Sequence, residues 1–378
     1  LESPNKASGN SSMGSTSSTS DRSFARPAPV TMLLRATMLL TVCFVVAAAG
    51  PCRAQPPGNH SGEVVPRDIR ELYDRGLKYL ADTQAEDGGW ANAGMGGPGT
   101  VGMALMVFLA SGEDPNFGLY SVHVRRALRN IISAQDVGTG YIGNSMYHHG
   151  FAMLALAEAY GAVDDRNLWT DQKDRRTIGQ ALELAVRTAI TSQKKNPLGA
   201  WRYSPDATDA DTSVSGAVLV GLLAARNAGI EIPDQAIDKA ISFYQQMTSS
   251  SGEVAYAGLG GFGESTARTS IATLVYSVAR RKDLAEYKST LGMLKQHLEF
   301  AGTDGRGYLE YTRYYEAQAL FQGDVDAWEK WNKLLVRQLK QSQQPDGSIT
   351  GQFGPQISTA LSMLALAVNY RFLPIYER

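Results

Sequence analysis

Three observations on the sequence predict an all-α fold, a closed ring of six helical hairpins. First, a helix-like apolar run that ends in glutamine before a glycine-bearing turn recurs along the chain. Its copies centre on Gln84, Gln135, Gln193, Gln246, Gln296 and Gln343, spaced 51, 58, 53, 50 and 47 residues apart. Repetition at that period marks one supersecondary unit stacked on copies of itself. Second, beyond residue 66 no segment shows a convincing two-residue alternation of apolar and polar positions, so strands are not expected. Third, each turn leads into a small-residue helix that is apolar all round, which means burial. These are 101–110, 150–159, 214–225, 269–279, 314–321 and 359–367.

Taken in order, residues 1–31 are rich in Ser, Thr and Asn and carry no apolar period, so they are expected to be disordered or an over-extended start. Residues 32–54 read as a signal peptide: Met32-Leu33-Leu34-Arg35 is a short basic start, 38–50 is an apolar run, and Cys52-Arg53-Ala54 ends in a small residue. That run is too short to cross a bilayer comfortably, so no integral membrane span is expected in the mature chain. Cleavage near Ala54 predicts a secreted or periplasmic protein. Residues 55–65 form a Pro/Gly linker, and 66–378 hold the ring. Both cysteines, Cys43 and Cys52, fall in the signal segment, so disulfides, thiolate nucleophiles and cysteine metal ligands are excluded from the rest. A net charge of −1 gives no reason to expect nucleic acid as a partner.

Within each unit the first helix carries charge on one face, as in Ala181-Leu182-Glu183-Leu184-Ala185-Val186-Arg187, and the second is the apolar one. Six outer helices around six inner ones follow. An open stack would need polar caps at its ends. The last unit instead stays apolar almost to Tyr376, which predicts that it packs on the first.

The segment Arg75-Gly76, Tyr79-Leu80, Gln84 and Gly88-Gly89-Trp90, repeated at Gln193 and Gly199-Ala200-Trp201, resembles the QW motif. That motif is the squalene cyclase repeat of the squalene cyclase and protein prenyltransferase superfamily. The resemblance covers residues 66–378 and implies an α/α toroid, terpenoid cyclase-like and prenyltransferase-like in fold. It also implies that Gln and Trp tie the end of an outer helix to the next inner helix. It does not bring a reaction with it. A zinc prenyltransferase would need a cysteine ligand, which the mature chain lacks, so that reading fails; neither metal nor cofactor is expected. A thioester is excluded too, because Gly261-Phe262-Gly263-Glu264-Ser265 has Phe and Ser where Cys and Gln would stand.

The site chemistry therefore has to come from the inner-helix starts, which the ring gathers at one mouth. They bring together Thr100, Tyr147, His148, His149, Asp209, Asp211, Glu264, Arg268, Tyr311, Tyr314, Tyr315 and Gln356. Asp209-Ala210-Asp211-Thr212 resembles the Asp-x-Asp-Asp of class II terpene cyclases, with Thr212 in place of the third acid. On that resemblance Asp211 would be the general acid, and Trp201, Tyr203 and the tyrosines would stabilise carbocations. On local chemistry alone Asp211 caps the following helix. Tyr147, His148 and His149 read as packing or as ligand contacts, but adjacent histidines point about 100° apart and suit no shared metal. Glu264 and Arg268 read as an i,i+4 helix pair or a clamp at the mouth. Three functions remain open: a ring that binds a small molecule (isoprenoid or glycan) or a protein without catalysis, a class II isoprenoid cyclase, and a carbohydrate-active α/α barrel using Asp209, Asp211 or Glu264.

Overall fold

The structure, a computed structural model, describes residues 65–90, 96–166, 168–169, 175–258, 261–296, 298–300 and 308–376. The segments expected to be a disordered or over-extended start (1–31) and a signal peptide (32–54), and all of the expected linker but Val65, lie outside the described residues. Among the described residues there are twelve α-helices and no strand, only single antiparallel bridges at three of the turns.

The outer helices are α1 (Arg67–Asp82), α3 (Ser121–Ser133), α5 (Ile178–Lys195), α7 (Asp234–Gln246), α9 (Ala285–Gln296) and α11 (Val325–Ser342). The inner ones are α2 (Pro98–Leu109), α4 (Met146–Ala159), α6 (Thr212–Asn227), α8 (Thr266–Val278), α10 (Leu309–Gly323) and α12 (Pro355–Ala367). Each inner helix packs on the inner helices before and after it, and α12 packs on α2, so the ring is closed. The fold is the all-α, α/α toroid of six hairpins.

Small residues let the inner wall close up. A Cβ on Gly150 of α4 would stand 2.7 Å from the Ala217 carbonyl carbon of α6, so only glycine allows that approach. At the seam, a Cβ on Gly76 of α1 would meet the Met363 sulfur of α12 at 2.4 Å. Polar contacts join the same two ends: Arg75 Nη2 donates to the Gln344 carbonyl at 2.6 Å, and Lys340 pairs with Asp68 at 2.7 Å.

The repeated glutamine has a clear physical task. Its Nε2 donates both to the carbonyl of its own turn and to a carbonyl of the next outer helix. Gln84 reaches Gly88 and His123, Gln135 reaches Gly140 and Ala181, Gln193 reaches Gly199 and Ala236, and Gln343 reaches Gly347 and Leu72, all at 2.8–3.1 Å. The last of these closes the ring. The amide thus ties outer helix to outer helix, not outer to inner as the resemblance implies. The indoles turn back to their own outer helices, Trp90 Nε1 to the Leu80 carbonyl and Trp201 Nε1 to the Ala189 carbonyl, both at 2.9 Å. The turn glycine is required as well. Gly88 (φ 86°) and Gly347 (φ 92°) sit where a Cβ would lie 2.1 and 2.2 Å from the carbonyl oxygens of Arg126 and Arg75 in the neighbouring outer helices.

In the fourth unit the sequence reading is off by two residues. Thr248, not Gln246, makes the antiparallel bridge to Val254 that Gln135 and Gln343 make to Ile142 and Ile349. A shorter side chain occupies the glutamine's place there, so the motif is invisible to a search for Gln.

The C-terminal stretch is built into the ring. Tyr370 tilts on Tyr73 at 4.8 Å, and Leu373 and Ile375 are buried. In the short 3₁₀ turn Pro374–Tyr376, Ile375 N–H donates to Glu158 Oε2 and its carbonyl accepts from Gln322 Nε2, each at 3.4 Å. Glu158 and Gln322 lie near the C-terminal ends of α4 and α10, which face each other across the ring. The chain therefore crosses the mouth formed by the inner-helix C-termini.

Candidate functional site at the mouth of the inner-helix N-termini

Asp211 is the N-cap of α6, and its Oδ1 accepts from Val214 N–H at 2.7 Å. Capping alone would leave the carboxylate at the surface, where the helix dipole favours the anion. Here the side chain is 0% exposed, and its second oxygen, Oδ2, has no hydrogen-bond partner. Burial pushes the acid up to about 6, against the lowering effects of the Val214 N–H and the Arg202 guanidinium. The cap and the candidate acid are one residue, whose two oxygens have different surroundings.

The segment between Trp201 and Asp211 folds over this carboxyl. Asp211 N–H donates to the Trp201 carbonyl at 3.1 Å, Met146 N–H holds the Tyr203 carbonyl at 2.8 Å, and Asn196 Nδ2 holds the carbonyls of Ala207 and Asp209. Arg202 Nε lies 3.6 Å from Oδ2 of both Asp209 and Asp211. Its guanidinium stands 5.5 Å from the ring of Tyr203 and 5.4 Å from that of Tyr256, whose hydroxyls are 3.0 Å apart. Such stacking orients the cation without neutralising it. Tyr203 is half exposed and Asp209 is exposed. Tyr244 of α7 donates to the Thr212 carbonyl beneath the acid.

Towards the ring axis the wall is aromatic. Tyr147 and Phe151 of α4 meet Tyr311 and Tyr314 of α10, the helix directly opposite. The Tyr147 and Tyr311 hydroxyls are hydrogen-bonded, with ring centres 6.2 Å apart, and the Phe151 and Tyr314 centres are 6.1 Å apart. Tyr315 packs edge-on against Tyr311 and Tyr314 at 4.9 and 4.8 Å. Burial raises the pKa of all four phenols, so they stay neutral.

The remaining predicted residues fall elsewhere. Trp201 is fully buried between the two helix layers, out of reach of a ligand on the axis. His149 is also fully buried. Its Nδ1 accepts from Ile142 N–H at 3.1 Å and its Nε2 donates to the Ala185 carbonyl at 3.0 Å, so both nitrogens are engaged and burial pushes its pKa down to about 4. His148 accepts from Gly99 N–H at 3.2 Å and joins α4 to the start of α2. Glu264 does not share a helix turn with Arg268, because Ser265 caps α8 and Glu264 precedes it, exposed. Arg268 Nη2 donates to the Gly263 carbonyl at 2.9 Å. Thr100 is buried in α2, and Gln356 is half-buried at the start of α12. Among the described residues no cluster of three His, Cys, Asp or Glu side chains is placed to hold a metal ion. No described helix is long and apolar enough to cross a membrane.

Sequence reading missed Arg202, Tyr256, Tyr244 and Phe151. Arg202 had a local signal, a lone arginine between Trp201 and Tyr203 just before the Asp209–Asp211 pair. Tyr244, Tyr256 and Phe151 arrive from other repeats, and nothing local points to the site.

No protein-family model and no curated protein matches this sequence. Solved structures do match in shape. An α-1,6-mannanase of Salegentibacter sp. HEL1_6, solved as an inactive variant with α-1,6-mannotriose, aligns at TM-score 0.58 and 12% identity over 80% of this chain and 99% of its own. A type II terpene cyclase variant from Scytonema, in complex with its product merosterolic acid A, aligns at 0.55 and 15% over 81% and 98%. A protein from Actinoplanes aligns at 0.55 and 13% over 80% and 99%. These likenesses show the toroid shared by two unrelated chemistries, and they leave the reaction to the site.

Proposed function

We propose that this chain is an acid catalyst of the class II isoprenoid cyclase kind, with Asp211 donating the proton. The observation that carries the reading is the Asp211 carboxyl: fully buried, with one oxygen accepting from Val214 N–H and the other without a hydrogen bond, 3.6 Å from Arg202 Nε. An acid that protonates a carbon–carbon double bond has to be neutral before reaction and dry during it. The step balances without a cofactor. The alkene π pair takes the Asp211 proton, a second double bond closes onto the resulting cation, and loss of a proton from carbon restores an alkene and the acid. Faces of Tyr147 and Tyr311 would stabilise the cation. The similarity to the squalene cyclase repeat superfamily fits this reading. So does a type II cyclase among the structural neighbours, one solved with geranylgeranyl dihydroxybenzoate as substrate. The N-terminal signal pattern supports an exported protein.

The experiment is incubation of the full chain with geraniol, farnesol and geranylgeraniol in D₂O. Cyclic isomers carrying one deuterium are expected, and none from Asp211→Asn. Isomers formed equally by Asp211→Asn would sink the proposal. If Asp211→Asn binds a prenol as the wild type does and neither converts it, the ring is a binding domain without catalysis.

One observation favours a second reading. Asp209 and Asp211 share Arg202, so their Oδ2 atoms lie no more than twice 3.6 Å apart, a limit that admits the closer glycosidase carboxylate spacing. Tyr203 supplies an exposed ring beside them for a sugar to stack on. Release of reducing sugar from an α-1,6-mannan, lost in both Asp209→Asn and Asp211→Asn, would select it.

A further inference from the structure

We propose that Tyr147 and Tyr311 form a floor that sets the length of the ligand admitted at the Asp211 mouth, and that the preferred ligand is a short prenyl chain. The inference rests on the isoprenoid reading above and specifies its substrate class. Its basis is the geometry of the axis. The inner helices run in the order α2, α4, α6, α8, α10, α12 and close on themselves, so α4 and α10 are opposite. Side chains of opposite helices touch only if the space between them is filled. Tyr147 is the second residue of α4 and Tyr311 the third of α10, and their hydroxyls join across the ring within the first helical turn.

One turn further in, roughly 6 Å along the axis at 1.5 Å per residue, Phe151 and Tyr314 make a second aromatic tier. They are 1% and 2% exposed. At the far end Ile375 is held between Glu158 and Gln322 of the same two helices. A ligand entering beside Asp209 and Tyr203 therefore meets the first tier almost at once, and the second blocks any extension past it. The rings that meet on the axis are aromatic and neutral, and the phenol oxygens of the first tier are already bonded to each other. A hydrocarbon tail fits such a surface better than a polar one. Its length is limited by packing, and dense interiors do not yield to an extra isoprene unit without cost.

The two tiers give a graded expectation. Removing the first should deepen the site by about one isoprene unit, and removing both by about two. The Tyr147–Tyr311 hydrogen bond should matter little to length, because the limit is steric.

The test is native mass spectrometry of the full chain with geraniol, farnesol and geranylgeraniol as probes, on the wild type, Tyr311→Phe, Tyr311→Ala and the double variant Tyr311→Ala/Tyr314→Ala, each checked for helical content. The wild type and Tyr311→Phe should retain geraniol at least tenfold more than geranylgeraniol. Tyr311→Ala should shift the preference to farnesol, and the double variant to geranylgeraniol. Should an alanine variant lose helical content, Tyr147→Leu, which shortens the floor from the other side, takes its place with the same expected shift to farnesol. If all folded proteins retain the three prenols alike, ligands occupy the mouth but the floor proposal is overturned. If none retains any prenol, the isoprenoid reading itself is overturned and the length filter falls with it.

Discussion

The two mouths of the ring are built from the same inner helices and end up with opposite character. At the C-terminal ends, the chain's own backbone fills the opening: Ile375 donates to Glu158 and accepts from Gln322, with Leu373 buried beside it. At the N-terminal ends a carboxyl group is buried with one oxygen left unbonded, under an arginine stacked between two tyrosines. The first arrangement satisfies its polar groups and stabilises the ring. The second leaves a polar atom unsatisfied, which costs stability and is typical of sites that do chemistry. Both mouths are bridged between α4 and α10, by backbone at one and by phenols at the other.

If that contrast is right, substitutions at the two ends should separate function from stability. The largest effect is expected at Asp211. Asparagine can still accept from Val214 N–H, so Asp211→Asn should fold, yet lower the proposed proton transfer about a thousandfold, read as product formed per hour. Next comes Tyr311→Ala, which empties a buried aromatic site and should cost about 3 kcal/mol in urea unfolding.

The third effect is pH-dependent, and its sign follows from the direction of the shift. The folded-state pKa of Asp211, about 6, lies above the ordinary carboxylate range near 3.9. Its contribution is therefore complete below about pH 4 and is lost as pH rises through 6, by about 3 kcal/mol in all. Asp211→Asn should lack that loss, so its stability relative to wild type should rise across this window. His149, in the wall rather than at the mouth, behaves inversely: its pKa is held at about 4, so its contribution is present above about pH 6.5 and lost as pH falls through 4. A His149→Gln variant should be less sensitive to acid, measured by the same unfolding series.

At the closed mouth Ile375→Ala should cost about 2 kcal/mol and leave prenol retention unchanged. A change in retention there would break the contrast between the two ends. The smallest effect belongs to the seam's surface pair. Lys340→Ala removes an exposed contact to Asp68 and should lower the unfolding free energy by less than about 0.5 kcal/mol.

Most of the ring could be read from sequence because its determinants are local and repeated. A glutamine at a helix end and a glycine in the turn after it recur in register. Both have physical reasons that do not depend on the rest of the chain: the amide satisfies two carbonyls, and the glycine clears a neighbouring backbone. Closure was legible from the apolar C-terminal unit, which needs a partner. The fourth repeat is legible but its register is not, because Thr248 occupies the glutamine position two residues past Gln246. The site was only half legible. Asp211 stood out through its spacing from Asp209, but cap and acid looked like rival roles until burial showed two oxygens in two environments. Trp201 and His149 looked like site residues by type, yet their hydrogen bonds to Ala189 and Ala185 hold them in the wall. Arg202 with Tyr256, and Phe151 with Tyr314, meet across repeats far apart in sequence, and no local pattern encodes those meetings.

The account depends most on the protonation of Asp211. Infrared difference spectra of the full chain, recorded through a pH series and compared with Asp211→Asn, read the carboxyl stretch of that one residue. A protonated carboxyl band that is absent from the variant and titrates near pH 6 is the predicted result. A band that has already disappeared by pH 4 would mean an ordinary helix cap, and the acid role of this mouth would be lost.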